Sequence, residues 1–428
     1  MEVKNKITPI GVVFIIYVTL VLTIKNPVIL YGGYGVLISS VLIKLLFYDQ
    51  SKLHFFSKSK KLALFYLYCI LSVFWAYSTD YVYTQIPLLI ACTMLVIFMT
   101  DYFVKKEEVS SILWALACAG IGLAIYVIVS YGGLSQFYSA ATKESYSLEA
   151  QRLGSDITNV NVIGMQCGFA TIILFYFALF KKYKLCYLLM LIPFITAAAS
   201  GSRKALILLI GGIVLVTFHY MSRGSTRQKY LNMFFGVILL FLGLMLLLSM
   251  DIMQTAIGRL QQSVNLFSGS AKAADGTSQL RLEMIITGLK RFWNEPVLGY
   301  GLGNSRVVNR IFVGFEAYSH NDYIENLLNG GIVGFLMYYG TIIRIIREYL
   351  LFMKIDDDPD LRISFYILIL FMFMNIAAVS YYGSITTYVY FILWITQLEL
   401  KKKEHPGVIA DKPNQTKQDL NINDWRKL

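Results

Sequence analysis

Long apolar runs constrain this chain more than any other feature of its sequence. Of its 428 residues, 57% are hydrophobic and only 15% are charged, which excludes an ordinary soluble domain of this size. A hydrocarbon core about 30 Å thick needs roughly 20 apolar residues in a helix. Runs of about this length occur at 7–24, 27–48, 62–78, 83–100, 110–131, 158–180, 185–200, 204–221, 230–250, 323–346, 362–380 and 384–399. The sequence therefore predicts an all-α polytopic membrane protein with about 12 transmembrane helices.

Basic residues set the expected orientation, because Lys and Arg concentrate in the cytoplasmic loops of membrane proteins. Basic clusters at 52–61, 105–106, 181–184, 223–229 and 401–403 fall on one side of the twelve-span arrangement. We expect both termini to be cytoplasmic, with 7–24 retained as the first span because it is too long for a signal-peptide core. The net charge of +12 then belongs beside anionic lipid, and nucleic acid is not an expected partner.

One hydrophilic segment, 251–322, interrupts the apolar series and is expected on the extracytoplasmic side. It contains two amphipathic stretches, 252–264 and 282–292, in which apolar residues recur at spacings of three and four. Each stretch predicts a short helix at the outer membrane surface. We therefore expect residues 1–400 to form a single integral membrane domain that includes this large loop, and residues 401–428 to form a flexible cytoplasmic tail.

A histidine at the end of this loop is the first candidate for chemistry. The chain has four histidines, and only His320 is expected on the extracytoplasmic side. An imidazole with an ordinary pKa of about 6.5 suits proton transfer near neutral pH. A structural alternative is that Asn321 or Asp322 simply caps the helix that follows.

Three arginines on the same side form the second signal. Arg152, Arg203 and Arg281 are expected outside the hydrocarbon core, where a guanidinium group can bind phosphate oxygens in pairs. The alternative is that these arginines only contact lipid headgroups and have no role in chemistry. Several arginines converging on one surface would suit a pyrophosphate-linked lipid.

Other motifs carry less chemistry. The chain has no Walker loop, no HExxH and no CxxC pair, and its five cysteines are expected to be buried thiols. Gly299, Gly301 and Gly303 predict a turn that lets the backbone approach another segment closely. The acidic run 356–358, beside Pro359, favours helix capping or solvated charge over a metal site.

An ordered set of motifs resembles a known family. The motifs are Ser200-Gly201-Ser202-Arg203, Arg281-x-x-Met284, the stretch 294–304, the stretch 319–323, and Gly330-Gly331-x-x-Gly334. In this order they resemble the O-antigen polymerase and ligase family (Wzy and WaaL types), most strongly over 198–345. Arg152 followed by Asn159-Val160-Asn161 resembles an upstream element of the family, with valine where proline is expected.

The resemblance implies a lipid-dependent membrane glycosyltransferase in the bacterial cytoplasmic membrane. Its substrates would be glycans linked to undecaprenyl pyrophosphate, with no metal and no cofactor. It implies Arg203, Arg281 and His320 as catalytic residues. The substrate-binding candidates are Arg152, Gly301, Asn304, Asn321, Asp322 and Tyr323. Membrane lipids, and the flippase and chain-length regulator of such a pathway, are candidate partners.

Three functions remain open from the sequence. The first is a polymerase of O-antigen or capsule repeat units, and the second is a ligase that moves finished polymer to lipid A core or another acceptor. The third is a flippase of lipid-linked oligosaccharide. The third is disfavoured because no internal repeat is evident and the polar residues concentrate at the outer rim.

Overall fold

The computed structural model describes residues 7–24, 26–44, 52–143, 159–223 and 276–408, together with positions 249 and 257. Every regular element in this part of the chain is helical. The helices are α1 Pro9–Ile24, α2 Pro27–Ile43, α3 Ser57–Leu71, α4 Asp80–Lys106, α5 Ser110–Ser130, α6 Leu134–Lys143, α7 Val160–Phe180, α8 Leu185–Leu189, α9 Leu191–Ala199, α10 Arg203–Met221, α11 Gly276–Phe292, α12 Ser305–Phe312, α13 Asp322–Phe352, α14 Pro359–Met374 and α15 Ile385–Glu404. A single 3₁₀ turn, Ser72–Phe74, extends α3.

The helical fold class is confirmed, and the predicted spans are confirmed in part. Five described helices, α4, α5, α7, α10 and α13, are long and apolar enough to cross a membrane. Shorter apolar helices occupy the predicted spans 7–24, 27–48 and 185–200. The last of these is divided at Met190, because Pro193 cannot donate to the carbonyl of Leu189. The total of twelve spans stays a prediction.

Four predicted features lie outside the described residues. These are Arg152, the span 230–250, the amphipathic stretch 252–264 apart from position 257, and the tail beyond residue 408. The second amphipathic stretch is confirmed as a helix, since α11 covers it. Its end coincides with Asn294-Glu295-Pro296, where proline disfavours further helix.

Helices in the bundle pack closely through small residues, as is common in membranes. A Cβ added at Gly120 of α5 would lie 2.2 Å from the Cβ of Ala170 on α7. One at Gly212 of α10 would lie 2.1 Å from the Ile172 side chain. Helix α7 therefore packs between α5 and α10. This packing places the first residues of α7 beside the start of α10.

One end of the bundle, which we term the tail end, is held by buried ion pairs. Lys58 Nζ lies 2.6 Å from Glu348 and 3.0 Å from Glu399. Lys401 Nζ lies 2.7 Å from Asp356 and 2.8 Å from Asp358. The run 356–358 is thus structural, and Asp358 caps α14 by accepting from the backbone N–H of residue 360.

The opposite end, which we term the loop end, contains a break in α13. At Gly331 the backbone turns to φ 60° and ψ −165°, which interrupts the helical hydrogen bonds. The segment 296–301 replaces them: Tyr300 N–H donates to Leu328 O at 2.8 Å, and Ile332 N–H donates to Pro296 O at 2.8 Å.

Two glycines make this backbone contact possible. A Cβ at Gly299 would lie 2.5 Å from the Gly331 nitrogen, and a Cβ at Gly331 would lie 2.2 Å from Val297 O. Tyr68 of α3 covers the junction, donating from its hydroxyl to Gly330 O at 2.6 Å. The close backbone approach predicted for the glycine motif is confirmed, and it anchors the segment before α12 to the helix that follows His320.

Candidate active site

His320 lies at the loop end, immediately before α13. Its φ is 58°, a left-handed conformation that few non-glycine residues adopt and that is often found at functional sites. Asn321 is the N-cap of α13 and accepts from Ile324 N–H at 3.1 Å. The ring of His320 lies 4.2 Å from that of Tyr318, centroid to centroid. The helix cap therefore orients the backbone, while the imidazole contacts the preceding loop.

Burial and neighbouring cations keep the His320 imidazole neutral. Burial is the largest cause, followed by the charges of Arg281 and Lys204, and together they lower the pKa of His320 to about 3. Burial also raises the pKa of Tyr318, while Arg281 and Arg306 oppose that rise. Near neutral pH the site therefore combines a neutral imidazole with a positive field, an arrangement that can accept a proton beside a bound anion.

A tight turn brings Arg203 and Lys204 to the start of α10. Gly201 takes φ 58°, and Ser202 caps α10. The Ser202 hydroxyl also donates to Asn161 Oδ1 at 2.9 Å, which ties the turn to the first turn of α7. Because a helix start carries partial positive charge, the two basic side chains add to a region that favours anions.

Lys204 and Arg281, the two cations that act on His320, are each positioned by contacts near the start of α13. The Lys204 ammonium donates to Ala377 O, beside the segment that meets the start of α13. Arg281 lies on α11, on the same helical face as Met284 and Gly288. Met284 is buried, and a Cβ at Gly288 would lie 2.6 Å from the Ile324 side chain. Packing of α11 against α13 therefore carries Arg281 towards His320.

Asp322 serves as an anchor in this geometry. Its carboxylate is fully buried and accepts from the Tyr339 hydroxyl at 2.6 Å and from the backbone N–H groups of Ser380 at 2.6 Å and Tyr381 at 3.1 Å. These partners fasten the start of α13 to the segment before α15. Both carboxylate oxygens of Asp322 are therefore engaged in the protein interior, and its predicted role in substrate binding remains a prediction.

Other substrate-binding candidates are also engaged by the fold. Asn304 is fully buried and accepts from Ser78 N–H at 2.7 Å. Gly301, at φ 89°, approaches Ala76 so closely that a Cβ would lie 2.5 Å from it. The Tyr323 hydroxyl donates to Met372 O at 2.8 Å, and Asn321 holds Ile376 O through its amide at 2.9 Å. Their roles in substrate binding remain predictions.

Glu325 is an anchoring residue that the sequence reasoning missed. It is fully buried and accepts from Ser319 N–H at 2.8 Å, from the Ser305 hydroxyl and from the Asn329 amide at 3.2 Å. It lies one helical turn after Asn321, in the first turn of α13. It therefore joins the start of α12 to the residue preceding His320.

A cavity of about 700 Å³ lies beside this group. Arg306, Tyr318, Asn159 and Ser384 contribute to its wall, and it continues along α7 as far as Phe169. Sequence reasoning had no signal for this cavity, because its wall comes from helices far apart in the chain. Two cations near the site, Lys204 and Arg306, were not among the predicted site residues. Lys204 directly follows Arg203, which was predicted. Arg306 had entered the sequence analysis only as part of the net charge.

Residues 188–339 match a family model described as O-antigen ligase. This segment contains Arg203, Arg281 and His320, the three residues that the sequence predicts to be catalytic. The chain carries a domain of the O-antigen polymerase and ligase family. Members of this family are glycosyltransferase-like membrane enzymes that act on lipid-linked glycans, and the apolar helices and the family together indicate a bacterial inner-membrane protein. No curated protein matches the chain.

Proposed function

We propose that this protein is a polymerase of bacterial surface polysaccharide (O-antigen or capsule). It would join oligosaccharide repeat units linked to undecaprenyl pyrophosphate, without a metal. The observation that carries the proposal is the placement of a neutral His320 against Arg281 and Lys204, next to the Arg203 helix start. A base beside a cationic cluster suits the transfer of a sugar from an anionic leaving group.

The proposed reaction forms one glycosidic bond and breaks one bond to phosphate. An acceptor hydroxyl attacks the anomeric carbon of the donor, and its proton passes to His320. The carbon–oxygen bond to pyrophosphate breaks, and the electron pair leaves with the lipid pyrophosphate. Arg203, Lys204 and Arg281 stabilise the negative charge on that leaving group. The charges already in place at the loop end supply the stabilisation that a divalent ion supplies elsewhere.

Donor binding would also tune the base. Two of the three causes that lower the pKa of His320 are the charges of Arg281 and Lys204. A bound pyrophosphate would offset those charges, so the pKa of His320 would rise in the complex. The imidazole becomes a stronger proton acceptor only when the donor is present, which disfavours proton uptake by the empty enzyme.

Charge distribution supports an extracytoplasmic site. The tail end carries the basic runs at 401–403 and 181–184, as expected for the cytoplasmic side. The loop end, with His320, then faces outwards, where lipid-linked repeat units are joined. Both termini would be cytoplasmic in this orientation.

The direct test uses purified full-length protein in nanodiscs with its lipid-linked repeat units as the only glycan. A ladder of longer lipid-linked products is expected, unchanged by EDTA. His320→Gln should leave the starting unit unextended, while His405→Gln at the tail end should produce the normal ladder. Absence of any ladder with the wild-type protein and intact substrate would contradict the polymerase function.

The family description keeps a ligase as the second candidate. A ligase also needs the pyrophosphate site and the base, but its acceptor is not carrier-linked. Gel profiles of cells separate the two functions. Deletion of a polymerase leaves acceptors carrying a single repeat unit, whereas deletion of a ligase leaves long polymer on the carrier lipid.

A further inference from the structure

The 700 Å³ cavity is adjacent to the candidate active site yet distinct from it. Arg306 and Tyr318 contribute to its wall, whereas Arg203, Arg281 and His320 lie outside that wall. Tyr318 also faces His320, ring centroid to ring centroid at 4.2 Å. The Tyr318–His320 ring pair therefore marks where the cavity wall adjoins the candidate active site.

The wall of the cavity changes from polar to apolar with depth. Arg306, Asn159 and Ser384 line it at the loop end, while Leu88, Phe169 and Phe371 line it farther in. From Asn159 to Phe169, α7 rises about 15 Å, roughly half of a hydrocarbon core about 30 Å thick. A compartment with a charged mouth and an apolar depth fits an amphiphile, with its head at the mouth and its chain among the helices.

Arg306 is the cation at this mouth. Its guanidinium carbon lies 5.7 Å from the centroid of the Tyr318 ring and 6.0 Å from that of Tyr81, and it hydrogen-bonds the Tyr382 hydroxyl. Arg310, one turn later on α12, is instead paired with Glu316 at 3.2 Å. Among the described residues, Glu316 acts on Arg306 only through longer-range charge interaction and no carboxylate lies within ion-pair distance, so the guanidinium can still bind an anionic ligand.

The start of α15 adds to this positive mouth. Its N-cap, Ser384, makes no capping hydrogen bond through its side chain. Thr387 N–H donates to Ser384 O at 3.0 Å, which leaves the backbone N–H groups of Ile385 and Thr386 to a ligand or to water. Ser384, Ile385 and Thr386 all line the cavity. An arginine and open helix donors at one mouth favour a phosphate group.

We propose that this cavity is a second lipid site, which holds the phosphate and the first isoprene units of the acceptor's polyprenyl carrier. Arg306 binds the carrier phosphate, and the chain lies along α7. The donor pyrophosphate occupies the separate cluster of Arg203, Lys204 and Arg281. The inference rests on the proposed polymerase function, in which both substrates are carrier-linked. It places the acceptor glycan at Tyr318, on the side of the ring pair from which a hydroxyl can reach His320.

Counting bound lipids tests this proposal without requiring catalysis. The probe is undecaprenyl pyrophosphate, added to the purified full-length protein and measured by native mass spectrometry. Two bound lipids are expected for the wild type, and one each for Arg306→Gln and Arg281→Gln. Affinity at the site that loses its arginine should fall about 10- to 100-fold. The matched control, Arg310→Gln on the same helix, should keep two.

A second pair of variants separates loss of the cavity from loss of charge. Val162→Trp fills the cavity wall, where Val162 is 41% exposed, and should leave one bound lipid. Val129→Trp, at a 66% exposed position on α5 that does not line the cavity, should keep two. Uncharged undecaprenol serves as a further probe: if it binds as tightly as the pyrophosphate and Arg306→Gln does not weaken either, tail packing alone explains binding.

Three outcomes would overturn the proposal: a single lipid on the wild type, two lipids on Arg306→Gln, or equal binding of undecaprenol. Failure of the polymerase function has a different signature. In that case lipid-linked repeat units are not extended, whatever the lipid count. Normal extension with two lipids on Arg306→Gln would reject the second site and leave the polymerase function standing.

Discussion

The tail end and the loop end of the bundle use charge in opposite ways. At the tail end, Lys58 and Lys401 are buried. Lys58 lies within 3.0 Å of two carboxylates, and Lys401 lies within 2.8 Å of three. At the loop end, the carboxylates of Asp322 and Glu325 are turned into the protein, while burial, followed by the charges of Arg281 and Lys204, lowers the pKa of His320. Paired charge at the tail end holds helices together. Positive charge beside a neutral imidazole at the loop end instead favours an anion.

The largest expected effect is the loss of the base. His320→Gln should reduce the rate of glycan extension by about 10²- to 10⁴-fold, because a general base contributes on that order. The measurement is product formation from lipid-linked repeat units by purified protein. His405→Gln, at the tail end, should retain wild-type rates. Equal losses in the two variants would break the contrast between the ends.

Removal of a loop-end cation should come next. Arg281→Gln or Lys204→Gln is expected to slow extension by about 10²- to 10³-fold, as for other groups that stabilise developing negative charge. Arg223→Gln provides the control, since Arg223 pairs with Asp357 at 3.2 Å at the tail end and is largely exposed. Single-turnover rates at saturating substrate separate this effect from weaker binding. A loss in the control as large as that in the loop-end variants would argue against a local electrostatic role.

Breaking a tail-end pair should affect stability rather than chemistry. Glu348→Gln removes one partner of Lys58, whose side chain is only 2% exposed. Removal of one partner from a buried ion pair typically costs about 3–5 kcal/mol of stability. The loss should be smaller here, because Glu399 still pairs with Lys58. Thermal unfolding in detergent should show a lower midpoint, while the protein that remains folded extends glycan normally. A rate loss without a change in the midpoint would contradict a purely structural tail end.

The smallest expected effect concerns pH. The pKa of His320 is lowered to about 3, so the base of the free enzyme is deprotonated throughout pH 5 to 8. The acid limb of kcat/KM, which reports the free enzyme, should therefore show no inflection from His320 in that range. The acid limb of kcat should lie at higher pH than that of kcat/KM, because bound pyrophosphate offsets Arg281 and Lys204. An inflection in kcat/KM near pH 6.5 would mean that neither burial nor these cations shift the pKa of His320 in the working enzyme.

Local sequence patterns predicted much of the site. The turn before Arg203, the histidine before an apolar run and the glycine motif each depend on a few adjacent residues. Asn321 as a helix cap is of the same kind, because a cap is a local hydrogen bond. Short motifs of this sort carry their own geometry, so they can be recognised without knowledge of distant segments.

Roles that depend on distant segments were not visible in the sequence. Asp322 was predicted as a helix cap or a substrate-binding residue, and nothing local indicated that its carboxylate accepts from Tyr339, Ser380 and Tyr381. Glu325 and Arg306 gave no local signal of their roles. Their partners and the cavity wall lie on other helices, and only packing brings them together.

The sequence by itself determined that the chain is a helical membrane protein, which residues begin α10 and α13, and which family its 188–339 segment belongs to. Hydrophobic length, caps and ordered motifs are properties of continuous stretches, which explains why they could be read from the sequence. Tertiary structure alone decided that 296–301 would complete the broken helix at Gly331. It also decided that Arg306 and Tyr318 would line one cavity, and that Tyr318 would also contact His320. These arrangements depend on which distant backbone groups and side chains satisfy one another, and no single stretch of the sequence contains that information.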